Sequence, residues 1–181
     1  MKFITLIVAC VFSVAVLAQT KVLPAKEVMD KAYARAKKEN KNVILIFHAS
    51  WCGWCKKMDA SMEDAKCKKY FDDNYVTIHL TVEESKEKKD LENPGGDAVR
   101  LKYHGDKAGL PFWVILNKDG QLLGDSFMRK EGVSKDEAGD NIGCPASEPE
   151  VAAFINLLRS SSTLSDQALE IIAARFKENK I

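Results

Sequence analysis

The chain has 181 residues, 46% hydrophobic and 29% charged, with 27 Lys and Arg against 26 Asp and Glu for a formal net charge of +1. That balance leaves no basic footprint for nucleic acid, and the local charge runs read as solvated faces. The length suits one domain with a single core, and no repeat at a fixed period is visible.

The N-terminus carries one basic residue, Lys2, and then a charge-free, largely apolar run from Phe3 to Leu17, ending Val16-Leu17-Ala18 before Gln19. A positive start, a short apolar core and small residues at the end describe a secretory signal peptide over 1–18, cleaved after Ala18. The run is short for a permanent span. It also continues past Cys10, which counts against a lipobox there. Residues 19–181 are then expected as a single exported domain, periplasmic or secreted and free of the membrane after cleavage.

Pro24 to Asn40 reads as an amphipathic helix with Val28, Ala32 and Ala36 on one face, and Asn40-Lys41-Asn42 ends it. Val43-Ile44-Leu45-Ile46-Phe47 is a continuous apolar run rich in β-branched residues, the pattern of a strand buried on both faces. Ala49-Ser50-Trp51 makes a turn. Cys52-Gly53-Trp54-Cys55 then opens a helix on which Trp54, Met58 and Met62 recur every fourth residue, with Cys55 on their side.

Two thiols one helical turn apart, directly after a strand, have the layout of a dithiol/disulfide centre. A cysteine at a helix N-terminus has its thiolate favoured by unpaired N–H groups and by the helix dipole. The second, three residues on, can reach the first sulfur and close a short disulfide or resolve a mixed one. Half of a zinc site is the other chemical reading, but it needs two more ligands and there is no second Cys-x-x-Cys.

Further along, Lys66 to Asp73 reads as a helix and Tyr75 to Val82 as a strand. Glu83 to Lys89 reads as a solvated loop or frayed helix, followed by a turn at Asn93-Pro94-Gly95-Gly96. Asp97 to Tyr103 is expected as a short helix with Ala98, Leu101 and Val99 inward. Phe112–Asn117 and Gln121–Phe127 flank Asn117-Lys118-Asp119-Gly120, a strong hairpin signal. The segment from Met128 to Asn141 is polar. Ser147-Glu148-Pro149-Glu150 is a capping box that starts a helix with the stripe Val151, Phe154, Ile155 and Leu158. Ser165 restarts a last helix, with Leu164 and Leu169 as a hydrophobic staple and Leu169, Ile172, Ala173 and Phe176 on its apolar face.

Without Cys10, four cysteines remain and allow three pairings. Cys52 with Cys55 plus Cys67 with Cys144 is the arrangement proximity favours. The stronger reading of Cys67, spaced with Tyr70 and Phe71, is nevertheless a small core residue.

Three segments together resemble the thioredoxin-like family in its exported branch: Val43 to Phe47, Trp51-Cys52-Gly53-Trp54-Cys55-Lys56-Lys57-Met58, and Gly109-Leu110-Pro111-Phe112-Trp113-Val114-Ile115-Leu116. The resemblance runs from residue 24 to about 160. It implies an α/β fold with a central mixed β-sheet flanked by helices, insertions at about 83–96 and 128–146, and an extra C-terminal helix at about 165–179. It also implies that Cys52 attacks and Cys55 resolves, that Pro111 is cis, and that Leu110 offers its backbone to an extended substrate. Trp51, Gly53 and Trp54 would complete the substrate-binding surface, Trp51 by shielding the first sulfur. The partners implied are protein thiols and disulfides and a redox partner protein, with no cofactor, no metal and a monomeric state. The rival reading is a peptide-binding or interaction module in which the dithiol is incidental.

The chain departs from the family pattern twice. Trp54 stands where proline is common, which leaves the direction of reaction open. Ile46, six residues ahead of Cys52, occupies a position where many members carry a buried acid. Proton transfer then needs water or another group, with His48, Lys56 and Lys57 as candidates, whereas His79 and His104 read as surface or structural residues.

Overall fold

A computed structural model describes residues 22–130, 132–134 and 137–179. The signal-peptide assignment, including Cys10, lies outside the described residues. Among the described residues no helix is long and apolar enough to cross a membrane.

The first helix, α1 (Ala25–Glu39), ends where Asn40 adopts a left-handed conformation (φ 52°), which asparagine tolerates better than most side chains. Then follow β1 (Asn42–His48), α2 (Gly53–Met62), α3 (Lys68–Asn74) and β2 (Tyr75–Thr81). Helix α4 (Gly96–Lys102) leads to β3 (Phe112–Leu116) and β4 (Leu122–Asp125). A two-stranded ribbon, β5 (Phe127–Met128) with β6 (Asp140–Asn141), precedes α5 (Glu148–Ser161) and α6 (Asp166–Lys177).

The main sheet has the order β2-β1-β3-β4, with β1 parallel to β2 and antiparallel to β3. β1 is apolar throughout because it is covered on both faces. Val43, Leu45 and Phe47 join the core under α1, with Ala32 and Ala36, while Ile44 and Ile46 join the core under α2, α5 and α6. The period-2 alternation of a strand thus feeds two separate cores from one sequence run. At the hairpin, Asn117 Oδ1 accepts the N–H groups of Asp119 and Gln121, and Gly120 takes a positive φ of 84°.

α5 starts on the expected capping box, Glu150 accepting the Ser147 N–H at 2.8 Å. α6 starts on Ser165, whose hydroxyl accepts the Ala168 N–H. The last helix packs on the domain: Leu169, Ile172 and Phe176 are buried with Phe154 and Phe71, and the Phe154 and Phe176 ring centroids are 4.9 Å apart.

Two expectations are corrected. In α4 Val99 packs half-buried on the core as expected, but the residues fully inside are Gly96 and Arg100, with Tyr103 just beyond, whereas Ala98 is exposed and Leu101 is 58% exposed. The reason is an ion pair that apolar periodicity cannot show: Arg100 goes under because Glu83 receives its guanidinium at 2.5 Å and the Asp106 carbonyl accepts a second bond. The segment from Glu83 is not wholly solvated. A 3-10 helix at Lys86–Leu91 is exposed, but Glu84 is buried against Ser50, and Asn93 closes the segment onto Thr81. Cys67 and Cys144 are unbridged thiols buried in one core, in line with the core reading of Cys67 and not with the bridge. Burial pushes both thiols up, Cys144 to about 12.

Candidate functional site

β1 delivers the chain to the top of the sheet, where Ala49-Ser50-Trp51 turns it into α2. The turn is fixed from below: the Ser50 N–H and hydroxyl both donate to the buried carboxylate of Glu84. Burial works to raise the pKa of that carboxylate, but the two Ser50 bonds, with Lys88 and His48 nearby, hold it below the usual range. Trp51 is tied to the same segment, its indole N–H donating to the Glu83 carbonyl at 2.8 Å. At 57% exposure it stands out over the loop, while the apolar groups packed on the sulfurs are Ala49, Trp54 and Leu110.

Cys52 is the N-cap of α2, and its Sγ accepts the Cys55 N–H at 3.1 Å. The two cysteines form a disulfide with their Cα atoms 5.3 Å apart, and both are buried. On reduction, the N–H already aimed at Cys52 Sγ and the positive end of the helix dipole favour charge on that sulfur over its neighbour. Gly53 lies in the exposed first turn, and a Cβ added there would meet nothing within 4 Å, so the glycine leaves the approach open. Trp54 is half-buried, with Lys57 Nζ 4.3 Å from its ring centroid.

Across from the disulfide, the Leu110-Pro111 peptide is cis, as the resemblance implies. Asn141 Nδ2 bonds the carbonyls of both Gly109 and Pro111, and so brackets Leu110 from the ribbon side. Among the described residues the Leu110 N–H and C=O have no partner, which leaves one residue of strand edge free beside the sulfurs. A cavity of about 630 Å³ extends from there, lined by Trp54, Leu110, Ile142, Gly143, Cys144 and Glu150. Its far wall is held by Asn179, which donates to Cys144 Sγ and the Pro145 carbonyl and accepts from Ser61 of α2.

Ile46 is fully buried beneath α2. Of the candidates for proton handling, Lys56 and Lys57 are exposed, and His48 Nε2 lies 3.1 Å from Thr81 Oγ1. His104 is an exposed residue of left-handed conformation (φ 60°) ahead of a short 3-10 turn. His79 is different: its Nε2 is 2.8 Å from Asp59 Oδ1 of α2, and its ring centroid is 4.9 Å from that of His48. Neither Asp59 nor this use of His79 is signalled by local sequence pattern; only the pairing of β2 with β1 exposes it. Among the described residues no group of three or more His, Cys, Asp or Glu is placed to hold a metal ion.

A mixed sheet between two helical layers, with a Cys-x-x-Cys at a helix N-terminus facing a cis-proline loop, defines a thioredoxin-like fold and redox centre. The chain belongs to the thioredoxin-like family: the profile of that description matches residues 25–118. Comparison with curated proteins finds no match. Similar solved structures include a disulphide isomerase from Xylella fastidiosa Temecula1, 26% identical over 54% of this chain and 70% of that one, with a TM-score of 0.44. A DsbH oxidoreductase is 20% identical over 75% and 82% of the two chains (TM-score 0.43). A thioredoxin from Thermus thermophilus is 18% identical over 77% and 84% (TM-score 0.43).

Proposed function

We propose that this protein is an exported thiol-disulfide oxidoreductase that exchanges disulfides with protein substrates through Cys52 and Cys55. The observation that carries the reading is the disulfide at the α2 N-terminus lying beside the unpaired backbone of Leu110. An extended substrate pairs with that backbone and brings its own sulfur to the site. In the reduced enzyme the Cys52 thiolate attacks a substrate disulfide, and Cys55 then attacks Cys52 Sγ and releases the reduced substrate. Run backwards, the same steps oxidise a substrate dithiol. Trp51, Gly53, Trp54 and Pro111 frame the contact surface. Export rests on the N-terminal pattern of Lys2, the apolar run and Ala18, after which the chain acts as a monomeric single domain with insertions at 83–96 and 128–146.

The test is insulin reduction in the presence of dithiothreitol. Wild type accelerates it and Cys52→Ser reduces the rate to background; equal rates in the two leave the peptide-binding reading standing. Equilibration of the Cys52/Cys55 couple with glutathione then gives the direction. A potential near −270 mV marks a reductant and one near −120 mV an oxidant.

A further inference from the structure

We propose that Asp59 and His79 together exchange the proton of Cys55, in place of the acid that Ile46 displaces. The inference rests on the disulfide-exchange reading of this site. β1 and β2 are parallel and pair Ile46 with His79, so both side chains rise from the sheet face that lies under α2. On α2, Asp59 follows Cys55 by four residues, which stacks the two on one face with Cβ atoms about 5–6 Å apart. Its carboxylate is held at 2.8 Å by His79 Nε2. The chain thus removes the acid from β1 and supplies one from the helix, anchored by an imidazole from the neighbouring strand.

The surroundings suit proton exchange. Asp59 and His79 border a small cleft of about 170 Å³ whose wall is polar at Arg35 of α1, Glu63 beyond α2, Asp72 of α3 and Thr77 of β2 and apolar at Met62 and Phe71. The side chains of His79 and Asp59 are 32% and 40% exposed, so a proton they accept can leave to water. His48 faces the pair from β1. Burial and then His79 hold the His48 pKa below its ordinary value, against the pull of Asp59 and Glu84.

The step balances with an aromatic disulfide, dithiobis(nitrobenzoate), as oxidant. The Cys52 thiolate attacks one of its sulfurs, forming a mixed disulfide and releasing the first aryl thiolate. The Cys55 thiol gives its proton to the Asp59–His79 pair, its sulfur attacks Cys52 Sγ, the Cys52–Cys55 bond forms and the second aryl thiolate leaves. The dithiol is oxidised by two electrons, the reagent is reduced to two thiolates, and the protons pass to water.

Rapid mixing of reduced protein with this reagent separates the two releases, and Cys52→Ser/Cys55→Ser measures any background from Cys67 and Cys144. In both Asp59→Asn and His79→Gln the second release should slow on the order of tenfold relative to the first, below the usual range for general-base loss because water substitutes at this exposure. Its rate should also rise in proportion to hydroxide concentration where the wild-type rate levels off, and Asp59→Glu should restore the wild-type profile. Two outcomes overturn the proposal: an unchanged ratio with an unchanged pH profile, or a slowing that leaves the profile's shape intact, as a purely structural role would. If Asp59→Asn does not fold, His79→Gln carries the test alone. Loss of the first release from the wild type, to the level of the double-serine variant, would instead overturn the exchange reading itself.

Discussion

At Glu83 the backbone is left-handed (φ 54°), the carbonyl accepts the Trp51 indole N–H and the carboxylate holds the buried guanidinium of Arg100. Glu83→Ala leaves that guanidinium without its counter-charge, and the expected loss is about 3 kcal/mol of stability in urea unfolding. A loss under about 1 kcal/mol would mean that Arg100 simply swings out to solvent. Gly105 is constrained differently: an added Cβ runs into the Phe112 ring, so Gly105→Ala should cost about 1–3 kcal/mol by the same measurement. Neither role was readable in advance, since each depends on a residue distant in the chain. Cys52, Cys55 and Pro111 were readable because their chemistry lies in local spacing. Asp59 and His79 were not, because two residues 20 apart meet only through strand register.

Among the elements, those with a strong period matched expectation: α1, β1, α2, the β3–β4 hairpin, α5 and α6 each formed within a few residues of where the pattern placed them. The short α3, β2 and α4 also formed close to expectation, whereas the shortest elements did not show themselves. The ribbon of β5 and β6 has two residues per strand, too few for alternation to register, and its position is set by Asn141, which reaches Ser126, Gly109 and Pro111. α6 supplies much of one core through a cluster of Phe71, Phe154 and Phe176. Phe176 is fully buried, and Phe176→Ala should cost about 3–5 kcal/mol. Circular dichroism in denaturant would check this; a midpoint equal to wild type would mean that α6 contributes little to the fold.

For the molecule as a whole, the ionisable groups bound stability on both sides of neutrality. Glu84 and Glu150 are held low because hydrogen bonds outweigh the opposing effect of burial, and Asp64 because the Lys66 N–H and Arg175 bind it. Carboxylates depressed in the folded state contribute stability that is present above their ordinary pKa of about 4 and is lost as pH falls through the folded values. Cys67 and Cys144 act in the opposite sense. Their folded pKa values are raised by burial, so their contribution is complete below the ordinary thiol value of about 8.5 and declines as pH rises beyond it. Thermal melts should therefore show a plateau from about pH 6.5 to 8, with the acid-side fall beginning as pH drops below the ordinary value of His48, whose folded pKa is lowered by burial. A midpoint still rising at about pH 10 would contradict the assignment of the two buried thiols.

β1 has a strand neighbour on each edge and a core on each face. Its amides should exchange with solvent deuterium only when the sheet itself comes apart, at the slowest rate in the chain. The floor of the redox centre then offers no give when a partner docks. Accommodation of differently shaped partners falls to the surrounding walls, Glu83 to Asn93 on one side and Asn141 to Ser147 on the other, so changes grafted there that keep Glu83, Glu84 and Asn141 can retarget the protein without disturbing the sulfurs beneath.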